Sequence, residues 1–239
     1  MNMMTTRQIS DLSPTALRIV DAAQSFIQRG GYNGFSYDDI SRELGIRKPS
    51  IHHHFRTKAE LGATVVRCYL QGFKEKLAAI EQREASLAGR LRAYVDLYCT
   101  TYGADRLLCP CGMLSSEASE LPPEIALEVE AFLAENLRWL TWVIAEGSVR
   151  AGRKAAGSAT RKVAPQDIAI CLLSTLQGSM VVGRGLGEPA GGSDTVTNVG
   201  RTALALCLEW LHPGSSPRPS TRLSSQAAPF AAGCSPPRV

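Results

Sequence analysis

Apolar residues along this chain recur at three- and four-residue spacing, with no alternating stretch of useful length, so the pattern predicts an all-α protein. The first stripe runs Ala16, Ile19, Val20, Ala23, Phe26 and Ile27, entered through Ser13 and Pro14 and ended by Gly30 and Gly31. A second, shorter one holds Ile40 and Leu44. Ser36 is placed as its N-cap, and Gly45 sits where a left-handed residue ends a helix. Ile46 then serves as an apolar plug before a short polar helix over about residues 47–55. Thr57 with Glu60 reads as a capping box opening a helix that carries Leu61, Val65, Cys68, Tyr69, Phe73 and Leu77.

Beyond it the pattern predicts a helix over about residues 86–102 with Leu87, Leu91, Tyr94, Val95 and Tyr98 on one side. A short helix holds Met113, Leu114 and Ala118, and a long one runs from Pro122 and Pro123 to about Arg150. Residues 151–164 read as a flexible connection, followed by apolar helices at about 165–184 and 194–211. About nine helices result. Three regions are expected: a first helical unit over 1–56, a larger helical unit over 57–211, and a disordered Pro- and Ser-rich tail over 212–239.

The two short helices before Thr57 have the form of a helix-turn-helix, in which an apolar helix supports a polar one that enters the major groove. Charge distribution agrees. The net charge is only +4, but residues 41–58 hold five Lys/Arg against one Asp/Glu. Residues 61–211 hold fifteen against sixteen, so the positive charge gathers on the reading head. The residues expected to meet double-stranded DNA are Ser36, Tyr37, Arg47, Lys48, Ser50, His52, His53 and Lys58.

The segment GIRKPSIHHHFRTKAEL resembles the end of the helix-turn-helix in TetR/AcrR-family transcriptional regulators, with Gly45, Ser50, Ile51, Phe55, Lys58 and Leu61 in register. His52 stands where that family usually has a tyrosine that touches the operator backbone. The resemblance implies nine helices, a homodimer formed by the last two, and an effector pocket in the larger unit. Carried over, the pocket set is Tyr94, Tyr98, Tyr102, Met113, Trp139, Trp142 and Met180. Tyrosine and tryptophan bring polar atoms into an apolar cavity. CPCGMLSSEASEL further resembles a stretch in a branch that answers electrophiles and oxidants, which makes Cys109 and Cys111 a possible redox sensor.

Other chemistry finds little footing. Successive residues of His52-His53-His54 point about 100° apart on a helix, so at most two could share an ion, and no metal site is expected. The cysteines lack paired zinc spacing, and a nucleophile triad or phosphate loop does not assemble, so neither enzyme nor cofactor is expected. No apolar run reads as long enough to cross a bilayer and MNMMTTRQ has no signal core, so a cytoplasmic location without membrane contact is the expectation. The reading is a homodimeric repressor on a palindromic operator, released by a small-molecule effector. A thiol-sensing repressor acting through Cys109 and Cys111, and a helical carrier or enzyme with a vestigial head, stay open beside it.

Overall fold

In a computed structural model, residues 9–103, 105–150, 163–187 and 195–211 are described, with the side chains of 148–150 and 210 excepted. Among them are nine α-helices and no strand: α1 (Pro14–Gly30), α2 (Tyr37–Leu44), α3 (Lys48–His54), α4 (Lys58–Arg83), α5 (Leu87–Tyr102), α6 (Pro110–Ser116), α7 (Pro123–Arg150), α8 (Pro165–Gly185) and α9 (Thr195–Leu211). The predicted connection over 151–164 lies almost wholly outside the described residues, and the tail over 212–239 lies entirely outside them.

Local signals place most of the boundaries. The Ser13 hydroxyl accepts the Ala16 N–H, and Pro14 opens α1. Ser86 does the same for α5 through the Gly89 N–H. Thr57 caps α4 by accepting from Glu60 at 3.0 Å. The return bond differs from a strict capping box, because the Glu60 carboxylate accepts the Arg56 N–H, one residue earlier. The short helix α6 begins at Pro110 and ends before Ala118.

Packing divides the molecule around α4. Its first turns bury Leu61 and Val65 beneath α1, while Phe73, Leu77 and Ile80 face α5 and α7. One connected core results, from Ile19, Ile40, Ile51 and Phe55 at one end to Leu172, Leu176 and Cys207 at the other. α8 packs against α7 and α9, and α9 also lies along α5. Contrary to the expectation from sequence, α8 is long and apolar enough to cross a membrane by length and composition alone. It packs one face into this core, where Ile168, Leu172, Leu176 and Met180 are buried.

Candidate nucleic-acid interface and effector region

At the head, α2 is a rigid support. Asp39 accepts from both the Ser36 N–H at 2.8 Å and the Ser36 hydroxyl at 2.7 Å, and these bonds hold its carboxyl below the ordinary range. Gly45 is left-handed at φ 65°, ψ 28°, which turns the chain without strain. The Ser41 hydroxyl donates to the Ile46 carbonyl at 2.6 Å and ties the turn shut. Within α3 only Ile51 is buried, and Phe55 follows it into the core. Arg47, Lys48, His52 and His53 point to solvent, with Ser50 half-buried. Lys48 meets Asp38 at 2.6 Å in an exposed pair that a phosphate can displace at little cost.

Three of the expected DNA contacts are otherwise employed. Tyr37 is buried, its hydroxyl donating to the Phe55 carbonyl at 3.1 Å and its ring meeting the edge of His52 at 4.8 Å. It braces α3 from behind. Ser36 remains exposed, but its hydroxyl serves the cap. Lys58 turns inward. Its ammonium donates to the Phe35 carbonyl at 2.6 Å and lies 4.5 and 4.4 Å from the ring centres of Tyr32 and Phe35. Burial lowers its pKa, and the charges of Glu117 and Asp39 oppose that. A lysine so held staples the α1–α2 turn, with its ammonium directed toward Tyr32 and Phe35.

Deeper in, four of the aromatic residues singled out from sequence converge. Tyr94 stacks on Trp139 with centroids 5.5 Å apart, and Tyr94, Tyr98 and Phe132 surround Phe73. Tyr102 and Met180 are buried in the same core, while Met113 is half-buried at its edge. Trp142 does not join them. It is 41% exposed, with the Arg90 guanidinium 5.3 Å from its ring, and Arg90 is paired to Glu146 at 2.7 Å. Asn136 was overlooked. Fully buried, it accepts from the Tyr94 hydroxyl at 2.7 Å and donates to the Phe132 carbonyl at 2.8 Å. Its signal was available, as the one polar residue at four-residue spacing between Phe132 and Leu140. Trp139 Nε1 donates to Glu81 at 2.6 Å, a separate polar contact beside the linked Tyr98, Tyr94 and Asn136.

Cys109 is the N-cap of α6, and it and Cys111 are both buried. Burial pushes the Cys109 thiol up. Hydrogen bonds from the Cys111 thiol and from the Gly112 and Cys111 backbone N–H groups, beside the Gln177 carboxamide, outweigh it and bring the pKa down to about 6. Cys111 is raised by burial and by that same bond. The one contact thus lowers the Cys109 thiol and raises that of Cys111. Among the described residues no group of three or more potential metal ligands is present.

The head's geometry, a braced helix-turn-helix with a solvent-facing basic second helix, defines a DNA-binding transcription regulator. Comparison with known proteins narrows this. The profile "Bacterial regulatory proteins, tetR family" matches residues 19–64. A solved TetR-family transcriptional regulator from Agrobacterium tumefaciens is 34% identical, with a TM-score of 0.70 over 80% of this chain and 96% of that one. An uncharacterized HTH-type transcriptional regulator in the lacX 3' region of Lactococcus lactis subsp. lactis is 25% identical over 154 residues, 60% of this chain and 79% of its own length. The HTH-type negative transcriptional regulator of the Staphylococcus aureus biofilm operon, IcaR, is 33% identical over 51 residues, 21% of this chain and 27% of its own. The chain belongs to the TetR family.

Proposed function

We propose that this regulator is a repressor that binds a palindromic operator as a homodimer and is released by a small-molecule effector. The reading takes residues 1–56 as the head, with Arg47, Lys48, Ser50, His52 and His53 meeting DNA, and 57–211 as the effector and dimer unit. The observation that carries it is the outward face of α8 and α9. Ile170, Val181, Val182 and Leu206 are 42–58% exposed there, beside an apolar groove of about 280 Å³ lined by Cys171, Thr175, Val199, Leu206 and Cys207. Exposed apolar residues beside such a groove, which Asn198 and Thr202 also line, suit a self-complementary two-fold interface, and a two-fold dimer presents its heads to a palindrome. Gly178 lies on the exposed side of α8 with open space around it, so a second helix can approach closely there. Repression is inferred from the likeness to IcaR, a negative transcriptional regulator.

Tyr94, Tyr98, Tyr102, Met113, Trp139 and Met180, with Asn136, form the effector region in this reading. They suit a mainly apolar molecule with one or two polar atoms that competes for the Tyr94–Asn136 bond. Such a molecule releases DNA only if it prefers the arrangement that DNA does not.

A second reading, thiol sensing, is favoured by the direct contact of Cys109 with Cys111 and the low Cys109 pKa. Both sulfurs are buried, which suits small reagents better than bulky ones. Selection of bound genomic fragments, followed by sedimentation of wild type and Gly178→Arg, tests the main reading. A palindromic site, a wild-type dimer and a weakly binding monomeric variant are expected. A wild-type monomer at micromolar concentration refutes it. Operator release by a small electrophile from wild type, but not from Cys109→Ser, decides for the second reading.

A further inference from the structure

The end of α1 is gripped from two other helices and one loop, all through its backbone or its last buried side chain. The final turn of a helix has carbonyls without partners inside the helix. Arg184, in the last turn of α8, supplies them. Its guanidinium donates to the Gln28 carbonyl at 3.2 Å and also to the Arg29 carbonyl. A flat fork matches two adjacent acceptors, and positive charge is favourable at a helix C-terminus. The Gln28 side chain is buried and donates to the Leu108 carbonyl at 3.0 Å. Just past α1, the Tyr32 N–H donates to Glu117, the C-cap of α6, at 2.8 Å. Gly31 makes that approach possible. It sits at φ 75°, and a Cβ there would lie 2.2 Å from a Glu117 oxygen.

We infer that Arg184 and Glu117 are positioning residues for operator recognition, holding α1 so that the separation of the two heads is set by α8 directly. The inference rests on the dimer reading, because α8 is the helix whose outer face would meet the second copy. The head's covalent route to the rest of the chain is α4, and α1 packs against α4 and α6 through apolar side chains, which resist sliding only weakly. The Arg184 and Glu117 bonds add two directional attachments at the end of α1. Because they bind backbone atoms, they fix where the helix lies, whatever rotamers its side chains adopt. The same grip places the Leu108 carbonyl, which directly precedes Cys109, in contact with the head through Gln28.

The test uses the full chain and the palindrome recovered by fragment selection, together with versions carrying one or two base pairs added at the centre. Each added pair moves the half-sites apart by roughly 3.4 Å and rotates them by about 35°. A dimer with fixed heads must twist DNA to follow, so wild type is expected to lose on the order of tenfold per added pair. Arg184→Ala and Glu117→Ala should lose less than about threefold per pair, with binding to an isolated half-site unchanged. Arg184→Lys should fall between, since one ammonium cannot span both carbonyls as the fork does. Should Arg184→Ala fail to fold, Arg184→Lys and Glu117→Ala carry the comparison. Wild-type spacing discrimination in the variants overturns the inference, as does a wild type indifferent to spacing. A wild-type monomer, or an operator without two-fold symmetry, removes the dimer reading itself and the inference with it.

Discussion

Replacing Gly31 by alanine disturbs two things at once, and the structure separates them. The first is conformational. At φ 75°, ψ −173° Gly31 occupies a region that residues with a Cβ rarely enter, at a cost of about 1–3 kcal/mol. The second is steric, since the new methyl would sit 2.2 Å from Glu117 Oε1 and 2.8 Å from its carboxyl carbon. The carboxylate must leave, and with it the charge-assisted bond from the Tyr32 N–H, worth roughly 1.5–3 kcal/mol. Taking the middle of each range, Gly31→Ala should destabilise by about 4 kcal/mol, or roughly 10 °C in Tm for a chain of this size. Glu117→Ala loses only the bond, about 2 kcal/mol. In the double variant the methyl has nothing left to displace, so the cost should stay near 4 kcal/mol and not reach about 6. Urea unfolding of all four proteins at one fixed concentration measures this, because the stability of a dimer depends on concentration. Strict additivity, or a Gly31→Ala cost below about 1 kcal/mol, would refute the close approach of α6 to the α1–α2 turn.

Other outcomes follow from groups already described. Lys58→Ala should leave the salt dependence of operator binding unchanged while lowering Tm, whereas Arg47→Ala should flatten that dependence by about one unit of slope. The reverse ranking in a salt titration would return Lys58 to the DNA. Cys109, at about 6 against an ordinary 9.0, stabilises the fold fully above pH 9.0, and that contribution is lost as pH falls through about 6. The Tm difference between wild type and Cys109→Ser should therefore shrink from pH 9.0 down to about 6, and a difference flat across that window would contradict the thiolate. Tyr94→Phe leaves the buried Asn136 oxygen without its donor and should cost about 1–3 kcal/mol in chemical denaturation, more than Tyr98→Phe, which keeps that bond. Equal costs would show that the Tyr94–Asn136 bond carries no weight.

What was legible in the sequence was local. Ser13, Ser36, Thr57 and Ser86 each sit beside the backbone N–H groups they serve, and Gly45 needs only its own dihedral angles, so helix ends could be read from a few neighbouring residues. The family resemblance followed from the same short stretch. Direction was harder. Lys58 opens α4, where an exposed lysine facing DNA is the natural expectation, yet its amine is drawn to Tyr32 and Phe35, more than twenty residues earlier. Trp139 and Trp142 are three apart on one helix, and helical spacing alone places both beside the apolar stripe of α7. Only the position of Arg90 shows which of them faces out. The joint at α1 was beyond reach, because Gln28, Leu108, Glu117 and Arg184 are scattered along the chain and become neighbours only when α6 and α8 close over the end of α1.

The way α3 is anchored bears on how such a protein can change its targets over generations. Its fixed points are Ile51, Phe55, the Ser41–Ile46 bond and the Tyr37 brace, all on the inner side or at the ends. Arg47 and His53 are exposed and bear little of the fold, and His52 contributes only an edge against Tyr37. Exchanges at such surface positions typically alter stability by less than about 0.5 kcal/mol. After a gene duplication, one copy can therefore wander through many outward side chains on α3 and acquire a different set of regulated genes without first becoming unstable. If the outward residues of α3 are the ones that meet DNA, as proposed, the head separates the residues that make it fold from those that choose its address, and leaves the second set open to drift.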